Sequence, residues 1–266
     1  MKIVVCVKHV PDIQSERTIG DDGRVVRDGG DGTLNELDEN ALEAALTLAE
    51  AHGGEVVALT VGPADAVDAV RRGLQMGADE AVHVVDDALA GSDVFGTAAV
   101  LAAAIRVIEQ EGPVDLVVTG MAGLDGLTSM LPAALAAELG LAQLTLASEI
   151  EVDEGPEGLR LTVRRELDHA TEVLSAGLPA LVSVTDQANE PRYPNFKGIM
   201  AARKKAVTTL ALADLGVDPT AVGSSGARTR VLAATARPAR ENRVLITDDG
   251  EAGRTLAAYI VDNKLV

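Results

Sequence analysis

The chain has 266 residues, and 47% of them are hydrophobic but only 2% are aromatic, so we expect a core of Ala, Val, Leu and Ile. This length allows one larger domain with an appendage, or two small domains. The net charge of −18 argues against general binding to nucleic acid, because a phosphate backbone would repel the chain.

The sequence also indicates which disulfide bonds are possible and in which compartment we expect the protein. Cys6 is the single cysteine, which excludes an intramolecular disulfide. The N-terminal apolar run is interrupted by Lys8 and indicates a strand rather than a signal peptide. Since no stretch reaches the roughly 18 apolar residues of a membrane helix, we expect a cytoplasmic protein without membrane insertion.

The first half of the chain alternates apolar strands with helices. We predict strands at 2–7, 55–61, 81–85 and 114–119, and helices at about 36–51, 64–76, 94–109 and 128–139. Asn35 is placed to cap the first helix, and the central Asp-Gly of RTIGDDGRVVRD suggests a small hairpin. Strands that alternate with helices in this way predict a parallel sheet covered on both faces.

The pattern changes after residue 140. Extended segments at 145–152, 159–166, 171–175 and 180–184 are interpreted as antiparallel or edge strands added to the parallel core. Residues 217–240 lack helical periodicity and resemble a linker or a partner-wrapping arm, and 251–262 are predicted to form a last amphipathic helix. We therefore divide the chain into an α/β domain, 1–210, and a C-terminal arm with its helix, 211–266.

A glycine-punctuated loop, 120–126, follows the predicted strand at 114–119. It has the form GxxGxxG, which is neither the dinucleotide fingerprint nor a Walker A loop, so a bound nucleotide and a tight structural turn are equally favoured. Its place at the carboxyl end of a parallel strand favours a ligand site. There Asp125 is positioned for ribose hydroxyls and Thr128 for a phosphate.

No catalytic or metal-binding constellation is recognisable. His9, His52, His83 and His169 are scattered without metal-ligand spacing. Cys6 is interpreted as an inert core thiol unless it contacts a ligand at the edge of the sheet.

Two charged segments point to contacts with other molecules. Arg164, Arg165 and Glu166 are consecutive on a predicted strand, so one of them faces something other than water unless this is an edge strand with both faces wet. Residues 192–205 contain five basic residues and no acidic one, together with Tyr193 and Phe196. This composition suggests protein docking, and the alternative is a solvated basic face with both aromatic rings turned inward.

Several motifs, in order along almost the whole chain, resemble the beta subunit of electron-transferring flavoproteins. They are IVVCVKHVPD, LNELDENALEAAL, VGPADAVDAVRRGLQMGAD, VRRELDHATEVLSAGLPALVSV and NEPRYPNFKGIMAARKK. The resemblance is strongest to the dehydrogenase-serving group that contains AMP. It implies a doubly wound, mainly parallel α/β sheet, similar to the adenine nucleotide alpha hydrolase fold, with added antiparallel strands and a C-terminal partner-wrapping arm.

The resemblance also implies a function. The chain would be a carrier subunit and not an enzyme, paired with an alpha subunit that holds most of the FAD, receiving electrons from acyl-CoA and related flavin dehydrogenases and passing them to a quinone oxidoreductase. Two alternatives remain open: a bifurcating variant with a second FAD in the AMP site, and a stand-alone adenine-nucleotide-binding protein.

Site residues follow from the resemblance position by position. The AMP site would comprise Cys6, Asn35, Glu36, Leu37, Asp38, Val61, Gly120, Met121, Ala122, Gly123, Asp125, Gly126 and Thr128. Ile13 would lie near the FAD, and Arg165 and Glu166 would serve electron transfer and domain orientation, Glu166 by pairing with an alpha-subunit arginine. The docking segment, 189–205, would present Tyr193, Phe196, Ile199 and Met200 to a dehydrogenase.

The chain departs from the family pattern at three places. The loop after Gly120 is shorter and lacks the family's run of aspartates and its Asn-Gln-Thr-Gly, which puts the individual phosphate contacts in question. An aromatic residue expected near Ile13 is missing, and the family's Asp-Gly-Gly turn is replaced by residues 168–170, Asp-His-Ala.

Overall fold

A computed structural model of the chain describes all residues except 28, 157, 236, 240, 242 and 266. Its strands, in chain order, are β1 Lys2–Cys6, β2 His9–Pro11, β3 Gly32–Leu34, β4 Glu55–Val61, β5 Glu80–Val84, β6 Leu116–Gly120, β7 Ala142–Ala147, β8 Glu149–Gly155, β9 Gly158–Leu167, β10 Ala170–Gly177, β11 Ala180–Val184 and β12 Thr208–Leu210. Its α-helices are α1 Glu36–His52, α2 Val67–Met76, α3 Val94–Ile108, α4 Leu131–Leu139, α5 Phe196–Ala202, α6 Gly223–Gly226 and α7 Ala252–Asp262.

Seven strands form one parallel sheet in the order β12-β5-β4-β1-β6-β11-β7. The central strands are buried on both faces, as their continuous apolar sequences predict. Side chains of α1 and α2 pack on one face, and those of α3 and α4 pack on the other. The predicted doubly wound α/β fold is confirmed.

The interpretation of 180–184 as an antiparallel or edge strand is wrong. Strand β11 lies inside the parallel sheet between β6 and β7. The predicted strand at 145–152 is in fact two strands, since its first part ends β7 and its second part begins β8 after Ser148. The antiparallel prediction is confirmed for β8, β9 and β10, which form a separate three-stranded sheet.

Helix α1 begins at Glu36 as predicted, but its capping bond and the start of α4 differ from the prediction. Asn35 does occupy the N-cap position of α1, but its side chain makes no capping hydrogen bond. Helix α4 begins at Leu131, three residues later than predicted, because Leu127 and Ser129 have φ angles of 50° and 48° that a right-handed helix does not allow. The hairpin expected before residue 28 is a tight turn closed by one bridge between Ile19 and Val25, and residue 28 itself lies outside the described residues.

The chain separates into two compact units, Met1–Leu232 and Ala233–Val266. The stretch 217–240, expected to be irregular, contains a 3-10 turn at Pro219–Ala221 and the single-turn helix α6, while 236 and 240 are outside the described residues. The predicted last helix is confirmed as α7, in the second unit. Among the helices of the described residues, none combines the length and apolar composition needed to span a bilayer.

Candidate nucleotide site and docking surface

The order of the strands determines where a ligand crevice lies. The chain runs outward from β1 to β4 and β5 and then returns to the other side of β1, where it forms β6. The helices change faces at the same point, since α1 and α2 cover one face and α3 and α4 the other. Open α/β sheets bind ligands outside the carboxyl ends of the strands at such a switch point. Here that point is the exit of β1, at Cys6 to Lys8, beside the exit of β6, at Gly120.

Asn35 connects the start of α1 to the loop after β6. Its Nδ2 donates to the Ala122 carbonyl at 2.9 Å, and its Oδ1 accepts from the Leu124 N–H at 3.0 Å. Its backbone N–H donates to the Lys8 carbonyl at 2.9 Å. The side chain is therefore used to hold the 120–126 loop against the exit of β1, which explains why it does not cap the helix.

Asp38 lies between the two strand exits. Its carboxylate accepts the Lys8 N–H at 2.8 Å and also the Gly120 N–H. Burial raises the pKa of Asp38 to about 7, although the hydrogen bonds from Asn35, Lys8 and Gly120 oppose this shift. Gly120 leaves no space for a side chain, since an added Cβ would lie 2.4 Å from an Asp38 oxygen and 2.8 Å from the Leu37 carbonyl oxygen.

Asp125 is enclosed by two cations that the sequence analysis did not assign to the site. Lys8 Nζ lies 2.9 Å from its carboxylate and Arg27 Nε lies 2.6 Å from it. Burial raises the pKa of Asp125, but the charges and hydrogen bonds of Lys8 and Arg27 outweigh burial and leave the pKa below its usual value. Lys8 could have been found as the charge that ends an apolar strand, whereas nothing local identifies Arg27, which reaches the loop from 98 residues away.

Cys6, Val61 and Thr119 lie on the face of the sheet that α3 and α4 cover. Cys6 pairs in register with Leu59 and with Thr119, and Val61 is two residues beyond Leu59. Burial, with the nearby Asp38, raises the pKa of the Cys6 thiol and keeps it protonated, as expected for an inert core thiol.

Two buried hydroxyls test whether the crevice suits a polar ligand. The Oγ1 atoms of Thr60 and Thr119 have no hydrogen-bond partner within the described part of the chain. Each threonine is the second-last residue of its strand, so both lie near the carboxyl edge. A buried hydroxyl without a partner costs about 1–3 kcal/mol, and a nucleotide offers donors and acceptors for such groups. Thr60 points to the face that α1 and α2 cover, whereas Thr119 points to the face of Cys6 and Val61. Together with Lys8 and Arg27, the Thr119 hydroxyl fits a polar, anionic ligand.

The other residues expected at the nucleotide site differ in their accessibility. Ala122 is buried, Met121 and Gly123 are half-buried, and Glu36, Gly126 and Thr128 are exposed. Ile13, expected near the FAD, is 51% exposed. Because α4 begins only at Leu131 and not at about residue 128 as predicted, its N-terminus does not follow directly from the glycine loop.

The docking segment is held at both ends by the α/β domain. At its first end, Arg192 forms ion pairs with Glu43 and Glu50 of α1, at 2.7 and 2.6 Å. At its last end, Lys205 Nζ donates to the Ala78 carbonyl at 2.7 Å. In between, α5 lies so close to α2 that a Cβ on Gly198 would be 2.7 Å from the Gln75 carbonyl oxygen. The segment is thus a fixed surface feature.

The aromatic side chains of this segment point outward. Tyr193 is 89% exposed and Phe196 is 79% exposed, so the alternative with both rings turned inward is wrong. Met200, one turn after Phe196 on α5, is 39% exposed and Ile199 is half-buried. The result is an apolar ridge with Lys197, Arg203 and Lys204 close by in sequence.

The charged run on β9 lies on a central strand, since β9 pairs with both β8 and β10, and the edge-strand alternative is wrong. Arg165 shares a face with the buried Leu161 and Val163 and pairs there with Glu172. Glu166 is on the exposed face and pairs with Arg164 at 2.9 Å. Successive side chains of a strand point to opposite faces. Arg165 therefore pairs with Glu172 on the packed face, and Glu166 pairs with Arg164 on the exposed face.

Comparisons with known proteins show the family to which the chain belongs. The electron transfer flavoprotein domain model matches residues 22–215. The chain is 43% identical to the electron transfer flavoprotein subunit beta of Mycobacterium tuberculosis, over 99% of each chain. The chain belongs to the electron transfer flavoprotein beta-subunit family.

More distant members of the electron transfer flavoprotein family also align with most of the chain. The beta subunit of Megasphaera elsdenii is 35% identical over 94% of each chain. The caffeyl-CoA reductase-Etf complex subunit CarD of Acetobacterium woodii is 34% identical over 93% of this chain and 92% of its own. As an electron transfer flavoprotein beta subunit, the chain has an electron-transfer role and an alpha subunit as its partner.

Proposed function

We propose that this beta subunit belongs to a cytoplasmic heterodimer that carries electrons and does not itself catalyse a reaction. The heterodimer accepts electrons from acyl-CoA dehydrogenases and related flavin dehydrogenases and passes them to a quinone oxidoreductase. FAD, held mainly by the alpha subunit, supplies the redox chemistry. The beta chain contributes a structural nucleotide site, a docking surface and part of the cover of the flavin.

The observation that carries this proposal is the exposed pair Tyr193 and Phe196 on a segment held at both ends. Large aromatic side chains on a fixed backbone give much contact area at little cost in conformational entropy, which is typical of residues that dominate protein interfaces. Nearby basic side chains favour an acidic partner surface. The Acetobacterium relative is named as a subunit of a caffeyl-CoA reductase-Etf complex, which associates that protein with an enzyme acting on a CoA ester and supports a redox partner of that substrate class.

AMP is the proposed ligand of the crevice. Asn35 to Asp38 hold the loop after β6 against the exit of β1 through the hydrogen bonds described above. Cys6 and Val61 line one side, and the backbone of residues 120–126 with Thr128 forms the other. The nearby cations and the unpartnered hydroxyl of Thr119 support a phosphorylated, polar ligand.

Glu166 is proposed to orient the flavin-carrying part of the alpha subunit by pairing with an arginine there. Its partner in this chain, Arg164, is half-exposed like Glu166 itself, so this pair contributes little and can be exchanged. Arg165 is held by Glu172 and supports the strand behind it. Ile13, exposed beyond β2, is proposed to face the FAD.

The docking role is tested with Phe196→Ala in the purified heterodimer. Loss of a central aromatic contact is expected to raise the KM for the dehydrogenase about tenfold or more, while the nucleotide content stays unchanged. Ile19→Ala removes an exposed apolar side chain elsewhere, in the loop between β2 and β3, and serves as the matched control. Wild-type rates of electron uptake in Phe196→Ala would contradict the docking assignment.

A further inference from the structure

Two cations from separate segments meet at the mouth of the crevice. Lys8 follows β1, and Arg27 belongs to the loop between β2 and β3. Both reach the carboxylate of Asp125, in the loop after β6, at 2.9 and 2.6 Å. Residues far apart in the sequence are thus brought together at the point where the strand order reverses.

Lys8 and Arg27 together carry more positive charge than the carboxyl groups beside them neutralise. Asp125 faces two positive groups, and the second carboxyl near Lys8, Asp38, carries only part of a charge at neutral pH because burial raises its pKa to about 7. An excess of positive charge therefore remains here, within a chain of net charge −18. The Asp125 side chain is only 1% exposed, whereas Lys8 and Arg27 are 47% and 43% exposed. A ligand therefore reaches the cations and not the carboxylate.

Both cations keep hydrogen-bond donors for a further partner. Arg27 uses its Nε–H for Asp125 and an Nη1–H for the Val25 carbonyl, and a guanidinium has five donors. Lys8 uses its ammonium for Asp125 and has three. The loop comes very close to this group, since a Cβ on Gly123 would lie 2.8 Å from Asp125 Oδ1 and 3.1 Å from Lys8 Cδ.

We propose that Lys8 and Arg27 form the phosphate-binding subsite of the crevice, and that Asp125 is the internal counterion that positions both cations. This inference rests on the proposed function, because it takes the ligand to be an adenine nucleotide. The cations take the place of the polar loop residues that are absent after Gly120. Asp125 then holds the cations and does not contact the ribose.

The test compares AMP with adenosine, which differ only in the phosphate. The heterodimer is stripped of its nucleotide and titrated calorimetrically with each ligand. Since removal of one cation alone would leave the buried Asp125 charge less compensated, the variants are the pairs Arg27→Gln/Asp125→Asn and Lys8→Met/Asp125→Asn. Arg24→Gln, on the same loop but directed to Ser224, is the matched control.

Wild type is expected to bind AMP about a hundredfold more tightly than adenosine, since two charge-assisted contacts are lost with the phosphate. Each double variant is expected to lose about tenfold in affinity for AMP and to keep its affinity for adenosine. Arg24→Gln is expected to bind both ligands as wild type does. Asp125→Asn alone is expected to keep the preference for AMP, because both cations remain.

Three results would overturn the subsite alone, and a fourth would overturn the nucleotide site with it. The first is an equal loss of affinity for both ligands in the double variants, which would mean that the cations only stabilise the loop and do not bind the phosphate. The second is unchanged AMP affinity in those variants. The third is a loss in Asp125→Asn as large as in the double variants, for both ligands, which would assign Asp125 to the ribose. If wild type binds neither AMP nor adenosine, the proposed nucleotide site itself fails, and the subsite with it.

Discussion

Gly120 sets how closely the exit of β6 approaches the first turn of α1. Without a side chain, its N–H reaches the Asp38 carboxylate, while Leu37 packs directly against it. Gly126, six residues later, is unconstrained, since the nearest atom to an added Cβ is 3.7 Å away. The two glycines of one motif therefore have different physical roles, which the GxxGxxG pattern does not distinguish.

Gly120→Ala is expected to separate β6 from α1 and to lower the free energy of unfolding by about 2 kcal/mol or more, through overpacking. The purified heterodimer should also lose most of its bound nucleotide. Gly126→Ala is the control for packing and should leave the free energy of unfolding almost unchanged. Chemical unfolding and quantification of the released nucleotide provide the measurements, and equal behaviour of the two variants would contradict the role of Gly120.

Asp38 should make stability depend on pH. Its pKa is about 7 in the folded chain and 3.8 as a reference value, so between these values the folded chain holds a proton that the unfolded chain has released. The free energy of unfolding should therefore fall as pH rises through this window, by about 3 kcal/mol between pH 5 and pH 8, and stay level above it.

The measurement for Asp38 is chemical unfolding of wild type and Asp38→Asn at pH 5 and pH 8. Asparagine is expected to lower stability overall, because its amide has only one acceptor oxygen for the Lys8 and Gly120 N–H groups. The difference in stability between the two pH values should nevertheless shrink. An unchanged difference would assign the pH dependence to other groups.

At the scale of elements, the conformation of the first part of the docking segment is fixed by its contacts with α1. Burial raises the pKa of Glu43, but the Arg192 guanidinium outweighs burial and holds this pKa below its usual value; the same guanidinium lowers the pKa of Glu50. Asn189 and Asn40 add a reciprocal pair of amide hydrogen bonds at 2.9 and 3.0 Å. These contacts fix the backbone immediately before Tyr193.

Arg192→Met is expected to free this end of the segment without removing an aromatic side chain. A segment that is less ordered before binding loses more conformational entropy when the dehydrogenase binds. We therefore expect the KM for the dehydrogenase to rise about threefold to tenfold with little change in kcat. Arg72→Met removes another ion pair with α1, to Glu39, outside the docking segment, and serves as the control that should keep the wild-type KM. A KM of Arg192→Met equal to that of wild type would show that the ion pairs with α1 do not pre-organise the segment.

The elements themselves show how far the sequence predicts the fold. Strands β1, β4 and β6 and helices α1 and α3 were predicted within a few residues, because their apolar patterns and terminating glycines are local signals. Strand β11 was misassigned, since a short apolar run does not indicate its partner or its direction. Similarly, Arg27 belongs to the candidate site only through a contact across 98 residues, which no local pattern contains.

For the whole molecule, the division into two units has a functional consequence. The first unit, Met1–Leu232, contains the core on both faces of the sheet, whereas α7 in the second unit has no buried residue. Leu256 and Tyr259 lie three residues apart on one side of α7 and are 51% and 38% exposed. An apolar helix surface of this kind favours contact with a partner chain, and we propose the alpha subunit as that partner.

Truncation after Leu232 is therefore expected to preserve the fold of the first unit and to weaken its association with the alpha subunit. Far-UV circular dichroism of the truncated chain should show the α/β content, and co-purification with a tagged alpha subunit should fall at least tenfold. Undiminished co-purification would contradict a role of the second unit in assembly.

The central claim is that the crevice of this beta subunit holds AMP while the flavin belongs mainly to the alpha subunit. It is tested most directly by denaturing the purified heterodimer and identifying and counting the released nucleotides by mass spectrometry. The account predicts one FAD and one AMP for each heterodimer. Two FAD molecules and no AMP would contradict it.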